Sequence, residues 1–244
     1  MQYESPRFLD QGEAALVVEF GDAVDAGINA RVLALDRALQ RDAPPGVRET
    51  TPTYRSLLVH YEPLQISRGD LVAWIESVIA RSAGDEAIPD GARWTLPCCY
   101  DPAIAEDIRE AASLLNMTPG ELAARHAGAD YRAYMYGFAP GWCYLGGLPP
   151  ALAIPRRLTP RGPTPENAVL IGGGLSLVAT NSMPTGWYVV GRTPEWLFSL
   201  TREPPFLVSP GDVVRFAPVD ATTFAALEAR AAKGEIVARC ESCE

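Results

Sequence analysis

Arginine is the residue type that most clearly suggests binding chemistry in this sequence. Arg156, Arg157 and Arg161 lie close together in one proline-rich loop, in a protein whose formal net charge is −9. A guanidinium group binds a carboxylate or a phosphate through two parallel hydrogen bonds. The flanking prolines favour a rigid presentation of these side chains. A solvated loop that uses its charge only for solubility explains the same pattern equally well.

Histidine is the second candidate, and the sequence holds only His60 and His126. Because histidine titrates near neutral pH, His126 is a candidate general acid or base. The alternative is a structural histidine stabilised at the C-terminal end of a helix. A structural role is favoured for His60, which lies within a predicted strand. With so few histidines, and no nucleophile elbow or metal-ligand spacing, we expect any hydrolytic site to be shared with a partner protein.

The stretch from Tyr134 to Leu200 is rich in glycine, proline, aromatic residues and arginine, and it lacks lysine. Glycine and proline both interrupt helices, so this composition predicts short strands joined by tight loops. The triplet Gly172–Gly174 would allow a close backbone approach to a ligand. It lacks the Lys-Ser/Thr pair that follows the glycines of a phosphate-binding loop, so it is a weak indication of ATP binding.

Apolar patterns before this stretch predict a β-α-β-β-α module. Strands are predicted at residues 14–20 and 56–62, an extended segment at 47–51, and helices at 25–41 and 67–83. A final strand would complete a ferredoxin-like unit. Residues 93–100 are either that strand or the first strand of a second domain. The acidic segment Gly84–Gly91 is predicted to be a linker.

The remainder predicts three helices and a series of short strands. The helices are expected at residues 101–115, 118–126 and 221–233, and the strands at 168–171, 175–179, 187–190, 197–200 and 213–216. Thr118 and Glu121 form a capping-box pattern at the start of the middle helix. Many short strands at regular spacing are typical of a small barrel or a sandwich.

The bulk composition sets limits on function. The chain has 244 residues and no apolar run long enough to span a membrane, and its first residues do not resemble a signal peptide, so a cytoplasmic protein without membrane contact is expected. The acidic balance disfavours nucleic acid as a partner. Cys240 and Cys243 form a CxxC pattern, which is interpreted as two free thiols in a frayed tail rather than a zinc site.

A long ordered string of residues resembles a known family. The string begins with Gly137-Phe138-Ala139-Pro140-Gly141-Trp142-Cys143-Tyr144-Leu145, continues through Pro155-Arg156-Arg157 and Pro160-Arg161, and ends with Gly186-Trp187 and Gly191-Arg192-Thr193-Pro194. It resembles the allophanate hydrolase subunit 1 family, which also contains the B subunit of 5-oxoprolinase and the sporulation kinase inhibitor KipI. The resemblance extends over nearly the whole chain.

The resemblance implies a fold, an activity and a partner. The fold is α+β, with a ferredoxin-like domain at residues 1–90 and a cyclophilin-like β-barrel domain at residues 91–244. The activity is that of a subunit of an ATP-dependent amide or lactam hydrolase, such as the 5-oxoprolinase that converts 5-oxoproline to glutamate. The partner is a cyclophilin-like subunit 2 or C protein, with which any ATP would be shared, since no ATP site is evident in this chain. The family's alternatives are a non-catalytic KipI-like inhibitor of a histidine kinase and a part of a biotin-dependent carboxyltransferase.

Residue types and resemblance together predict a site for a small anionic substrate. His126 is expected to carry a proton, and Arg157 and Arg161 are expected to hold the anionic group. The predicted substrate-binding residues are Gly137, Phe138, Pro140, Gly141, Tyr144, Arg156, Gly173, Leu175, Trp187 and Arg192. No metal ion is predicted.

The chain departs from the family pattern after Arg161. Leu175 stands where the family has Gln, Ser176 where it has Thr, Ala179 where it has Tyr, and Thr180 where it has Pro. Replacing an amide and a phenol by aliphatic groups removes hydrogen-bonding groups and leaves more room. These departures indicate a different substrate, or a chain that no longer uses the common chemistry.

Overall fold

The computed structural model describes residues 1–82 and 91–241, and the chain divides into two compact units, Met1–Pro89 and Asp90–Glu244. The first unit contains β1 (Gln2–Asp10), β2 (Ala15–Gly21), α1 (Ala26–Asp42), β3 (Val47–Pro52), β4 (Ser56–Tyr61) and α2 (Arg68–Ser82). Its strands form one antiparallel sheet in the order β1-β2-β4-β3. The apolar stripe predicted for α1 is confirmed, since Ile28, Val32, Leu35 and Leu39 are all buried in the core of this unit.

One strand of this sheet, β1, was not predicted from the sequence. It pairs with β2 at the edge of the sheet, in the position that a final strand would take in a ferredoxin-like unit. Most of its side chains are exposed, so it lacks the apolar alternation by which strands are predicted. The residues at 93–99 therefore belong to the second unit. The predicted linker Gly84–Gly91 lies outside the described residues, except for Gly91.

The second unit contains a sheet that closes on itself. Its elements are β5 (Arg93–Cys99), α3 (Ile108–Leu114), α4 (Pro119–Ala127), β6 (Tyr131–Tyr136), β7 (Cys143–Gly146), a short 3-10 helix (Pro150–Leu152), β8 (Arg161–Pro163), β9 (Ala168–Gly172), β10 (Leu175–Ala179), β11 (Pro184–Thr185), β12 (Tyr188–Arg192), β13 (Val213–Val219), α5 (Ala221–Ala231) and β14 (Arg239–Cys240). The strands run in the order β12-β9-β10-β7-β6-β13-β5, and β12 also pairs with β5. This closed barrel confirms the predicted α+β fold class.

Alternate residues of the barrel wall enter two separate apolar clusters. Val169 and Ile171 of β9 join the barrel interior, which also receives Ile108 of α3 and Leu122 of α4. The second cluster, here called the aromatic face, consists of Trp142, Ala168, Leu170, Leu177, Ala179, Trp187 and Val189, with Ala139, Tyr144, Leu175 and Met183 packed against it. Because successive side chains of a strand point to opposite sides, β9, β10 and β12 each contribute to both clusters.

Two predicted elements differ from the structure. The helix expected from residue 101 begins only at Ile108, because the preceding residues form turns closed on the carbonyl of Asp101. The strand expected at 197–200 is a loop with one isolated bridge, between Phe198 and Phe206. In that loop, the guanidinium group of Arg202 donates to backbone carbonyls that a neighbouring strand would otherwise satisfy.

The structure also differs from the interpretation of the C-terminal CxxC pattern as two free thiols. Cys240 belongs to β14, which pairs with β5, and its sulfur is disulfide-bonded. The expectation of a free thiol in a frayed tail is therefore wrong for Cys240, while Cys243 lies outside the described residues. No helix in residues 1–82 and 91–241 is long and apolar enough to cross a membrane.

Candidate functional site

The loop between β6 and β7 carries an exposed aromatic ring on a strained backbone. Phe138 has a φ of 70°, a conformation that L-residues rarely adopt, and it is 71% exposed. The Gly137 N–H donates to the Trp142 carbonyl, and the Trp142 N–H donates to the Ala139 carbonyl. The Phe138 ring lies 5.0 Å from the buried indole of Trp142. The loop therefore presents Phe138 at the edge of the aromatic face.

Three contacts fix the C-terminal end of this loop. Gly141 has a φ of 78°, and a Cβ atom there would lie 2.4 Å from Phe198 Cβ, so only glycine fits. The Thr180 hydroxyl donates to the Pro140 carbonyl over 2.7 Å. Thr180 is one of the departures from the family pattern, and a proline in its place could not make this bond. The indole N–H of Trp142 donates to the Asn181 side chain.

The centre of the aromatic face combines Tyr144, Trp187 and Arg156. The Tyr144 ring meets the Trp187 ring edge-on at 6.1 Å, and the Arg156 guanidinium carbon lies 4.7 Å from the Trp187 ring centre. Burial raises the pKa of Tyr144, and the positive charge of Arg156 opposes that rise. Arg156 is exposed, so the aromatic face ends in a cation in contact with solvent.

The glycine triplet has a structural explanation in the β9–β10 hairpin. Gly172 and Leu175 are paired across the hairpin, with Gly173 and Gly174 between them at φ values of 60° and 79°. A two-residue turn with both φ values positive is the favoured connection of a tight hairpin, and it requires glycine or asparagine. The triplet therefore forms a turn, and it does not fit a nucleotide-binding loop.

Arg157 and Arg161 are neutralised by three carboxylates of the α3 region, in what is here called the arginine–carboxylate network. Arg157 makes two hydrogen bonds to Glu110, at 2.7 and 2.6 Å, and Arg161 donates to Asp107 at 2.6 Å. Arg161 also bonds to Glu106. The bond from Arg157 holds the pKa of the Glu110 carboxyl below its ordinary value.

Asp107 connects this network to the barrel wall. Its carboxylate accepts the Val189 N–H of β12 over 2.8 Å, and its own N–H donates to the Val189 carbonyl over 2.9 Å. The Asp107 and Arg161 side chains are 13% and 18% exposed, so the pair is largely removed from water. The network therefore attaches the start of α3 to β12, with both arginines engaged in that task.

Arg192, another predicted substrate contact, is also engaged with its own chain. Its guanidinium group donates to Glu228 of α5 over 3.0 Å and to the Glu166 carbonyl, and it lies 5.1 Å from the Phe224 ring centre. These contacts attach α5 to the barrel. The Arg192 guanidinium group is therefore engaged by Glu228 and Glu166, although its backbone pairs with Ala168 of the aromatic face.

His126 lies in the barrel interior and is fully buried. Ser176 donates its only hydroxyl hydrogen to the Leu170 carbonyl, so its oxygen accepts from His126 Nε2 over 3.1 Å. His126 Nδ1 is then unprotonated and accepts from the Tyr100 hydroxyl over 2.8 Å. Burial lowers the pKa of His126 to about 3. At neutral pH this side chain is neutral and remote from solvent, a position suited to joining α4 to β10 rather than to exchanging protons.

The departures at Leu175 and Ala179 lie on the aromatic face, whereas Ser176 faces the barrel interior. Leu175 packs against the aromatic face, and Ala179 is buried within it. The hydroxyl of Ser176 bonds to His126, a role that a threonine hydroxyl would also fill. The departures therefore change the composition of one face of the wall and leave the interior contact in place.

The structure thus brings most of the predicted substrate-binding residues together and separates the predicted catalytic ones. The residues at or next to the aromatic face are Gly137, Phe138, Pro140, Gly141, Tyr144, Arg156, Gly173, Leu175 and Trp187. His126 lies in the interior, and Arg157 and Arg161 lie in the network. Sequence reasoning missed the supporting role of Trp142, whose position inside the string Gly137–Leu145, here called the Gly-Phe motif, was the available signal. Among the described residues, no group of His, Cys, Asp and Glu side chains is arranged to hold a metal ion.

Comparison with known proteins gives consistent results for most of the chain. A family model described as carboxyltransferase domain, subdomain C and D, matches residues 6–208. The chain is 30% identical over 218 residues to the B subunit of 5-oxoprolinase from Bacillus subtilis (strain 168), and the match covers 85% of this chain and 90% of that protein. It is also 30% identical to the corresponding 5-oxoprolinase chain of Escherichia coli O157:H7, with 85% and 93% covered.

Solved structures agree with the fold. The structure of TTHA0988 is 34% identical with a TM-score of 0.74, and the match covers 84% of this chain but only 40% of that chain. The K. lactis urea amidolyase superposes with a TM-score of 0.78 over 97% of this chain, at 18% identity and over 16% of that chain, which shows similarity of fold alone. Since the family model matches most of the chain and two bacterial relatives align along most of their length, the chain belongs to the carboxyltransferase subdomain C and D family, which includes the B subunit of 5-oxoprolinase.

Proposed function

We propose that this chain is a subunit of an ATP-dependent amide or lactam hydrolase complex resembling 5-oxoprolinase, and that it acts with a cyclophilin-like partner of the C type. The observation that carries this proposal is the match to two 5-oxoprolinase chains along 90% and 93% of their length. Both relatives are named as one subunit of an enzyme, and such a chain works within a larger assembly, so the proposal includes a partner.

The side chains of this chain support a shared site. The aromatic face offers rings and one cation, which bind and orient a small molecule but do not transfer protons. His126 is buried and neutral, and the network arginines are neutralised. Opening a lactam requires a proton carrier and groups that stabilise negative charge on the carbonyl oxygen. In the proposal these groups come from the partner subunit.

The glycine triplet of this chain does not fit a nucleotide triphosphate. The glycine triplet is a hairpin turn, and the only lysine in the sequence is Lys233, in the last turns before the C-terminal strand. A nucleotide triphosphate is usually held by backbone N–H groups together with lysine or arginine. We therefore assign ATP binding to the partner subunits, with this chain contributing the aromatic face to the substrate.

Reconstitution with the partner tests this proposal. The chain would be co-expressed with a C-type partner, and the mass of the purified species and ATP-dependent formation of glutamate from 5-oxoproline would be measured. We expect a heteromer whose turnover requires both subunits. A monomer that does not bind the C-type partner and binds a histidine kinase would instead support a KipI-like regulator. Carboxyl transfer from biotin without 5-oxoproline turnover would support a carboxyltransferase.

A further inference from the structure

We propose that Arg156, supported by Trp187, is the residue with which this chain binds the carboxylate of its substrate, and that Arg157 and Arg161 have a structural role. This inference rests on the proposed function, because it assigns the anionic group of a lactam substrate to one side chain of the aromatic face. It replaces the sequence-based expectation that Arg157 and Arg161 hold that group.

The first argument is the state of the three arginines. Arg157 and Arg161 each form ion pairs with two carboxylates and are less than one-fifth exposed. In the described part of the chain, no carboxylate forms an ion pair with Arg156, which is exposed. A guanidinium group whose hydrogen-bond donors point to solvent retains its capacity for a two-bond contact with a carboxylate.

The second argument is the support beneath Arg156. Its guanidinium group stacks 4.7 Å from the centre of the Trp187 ring, which restricts the side chain without using its N–H donors. Gly172 of the β9–β10 hairpin leaves room for this arrangement, since a Cβ atom there would lie 3.2 Å from Trp187 Cδ2 and 3.5 Å from Arg156 Cγ. The hairpin therefore carries no side chain at the position where Arg156 and Trp187 pack against it. A cation held in a fixed position loses less entropy on binding an anion.

The third argument is the number of charges. One unpaired guanidinium matches one carboxylate, whereas a triphosphate would require several cations. The nearest other arginine in sequence, Arg157, is neutralised by Asp107 and Glu110, and the stretch Tyr134–Leu200 contains no lysine. The apolar surface of Tyr144 and Leu175 next to Trp187 is suited to the ring of a small lactam. The site therefore favours a small carboxylate-bearing ring over a nucleotide.

A binding experiment with paired probes tests this inference. Affinity would be measured by calorimetry on the chain in complex with its C-type partner, with 5-oxoproline, with 2-pyrrolidinone, which is the same lactam without the carboxylate, and with ATP. We expect Arg156→Gln to weaken 5-oxoproline binding about tenfold or more, the range of a charge-assisted bidentate contact, and to leave ATP binding unchanged. We expect 2-pyrrolidinone to bind the wild-type complex and the Arg156→Gln complex equally weakly.

Arg125→Gln is the matched control, since Arg125 is an exposed arginine on α4 and its loss changes the net charge equally. The inference is overturned if Arg156→Gln binds 5-oxoproline within about twofold of the Arg125→Gln control, or if the variant loses ATP and not 5-oxoproline. Failure of the proposed function has a different signature. In that case 5-oxoproline is not turned over by the wild-type complex, while the dependence of carboxylate binding on Arg156 persists with another small carboxylate such as proline.

Discussion

Arg156 and Arg157 are adjacent in sequence, yet their guanidinium groups lie in opposite environments. Arg156 lies at the edge of the aromatic face, where it stacks on Trp187 and is exposed. The Arg157 side chain belongs to the arginine–carboxylate network and is 17% exposed. The difference teaches that residue type and loop position do not by themselves indicate a binding role. The arginine available to a ligand is the one whose charge is not already neutralised by the protein.

The largest expected effect follows from breaking the network at its centre. Asp107→Ala removes the acceptor of Arg157, Arg161 and the Val189 N–H together. We expect the free energy of unfolding to fall by about 3 kcal/mol, because two largely buried cations each lose one of their two carboxylate partners and the Val189 N–H loses its acceptor. Denaturation by urea, followed by circular dichroism, measures this loss.

Glu106→Gln is the control for that experiment. The Glu106 side chain is 46% exposed and contacts only the Arg161 end of the network, so the expected loss is below about 1 kcal/mol. Equal losses in the two variants would show that the network is an ordinary surface ion-pair cluster. The structural role assigned to Arg157 and Arg161 would then be withdrawn.

A smaller effect is expected from acid, through the buried histidine. The folded-state pKa of His126 is lowered to about 3, below the ordinary value of 6.5, because burial disfavours its charged form. The unfolded chain therefore binds a proton below pH 6.5 that the folded chain does not. Stability from this group is complete above pH 6.5 and is lost as the pH falls from 6.5 toward 3, by about 1 kcal/mol between pH 6.5 and 5.5.

His126→Gln separates this contribution from that of the carboxylates. The variant is expected to be less stable at about pH 7, because glutamine cannot replace both ring contacts, but its stability should change less between about pH 6.5 and 5.5 than that of the wild type. Parallel pH profiles, measured by urea denaturation at each pH, would contradict the position of His126 inside the barrel. They would reopen its assignment as an exposed proton carrier.

The smallest effect concerns the hairpin beneath Arg156. Gly172→Ala places a methyl group 3.2 Å from Trp187, which must shift and carry Arg156 with it. We expect 5-oxoproline affinity for the reconstituted complex to fall about threefold, equivalent to less than about 1 kcal/mol. Calorimetric titration measures this change.

Gly174→Ala is the matched variant on the same hairpin. Its Cβ atom would meet nothing within 4 Å, but its φ of 79° is strained for alanine. It is therefore expected to lose about 1 kcal/mol of stability while keeping its affinity. If both variants lose affinity equally, the hairpin acts through its overall shape rather than through Trp187.

Local patterns allowed part of the fold to be predicted, and context explains the rest. The predicted bounds of β10 and the capping box of α4 are confirmed, since Thr118 and Glu121 satisfy each other's groups within one turn. The strand β1 was missed because an exposed edge strand has little apolar alternation. Strands β6 and β7 flank the loop that contains the Gly-Phe motif. They were not predicted, because glycine and proline lie close to them in the sequence.

The candidate site shows the same division between local and distant contacts. The Gly-Phe motif and Trp187 could be selected from the sequence because glycine, proline and aromatic residues in that order are informative by themselves. The ion pairs of Arg157 and Arg161 could not be predicted from the sequence, because their partners Glu106, Asp107 and Glu110 lie far earlier in the chain. The burial of His126 depends in the same way on Tyr100 and Ser176, which are brought to it by barrel closure.

The sequence by itself determined the family, the α+β fold class and the cluster of aromatic residues and arginines that forms the candidate site. Only the tertiary structure decided which charges remain available to a ligand. The physical reason is that the state of a charged or polar side chain depends on which groups surround it, and closure of the barrel brings those groups from distant parts of the chain. Arg156 remained open to solvent, while its neighbour Arg157 was paired with the carboxylates of the α3 region.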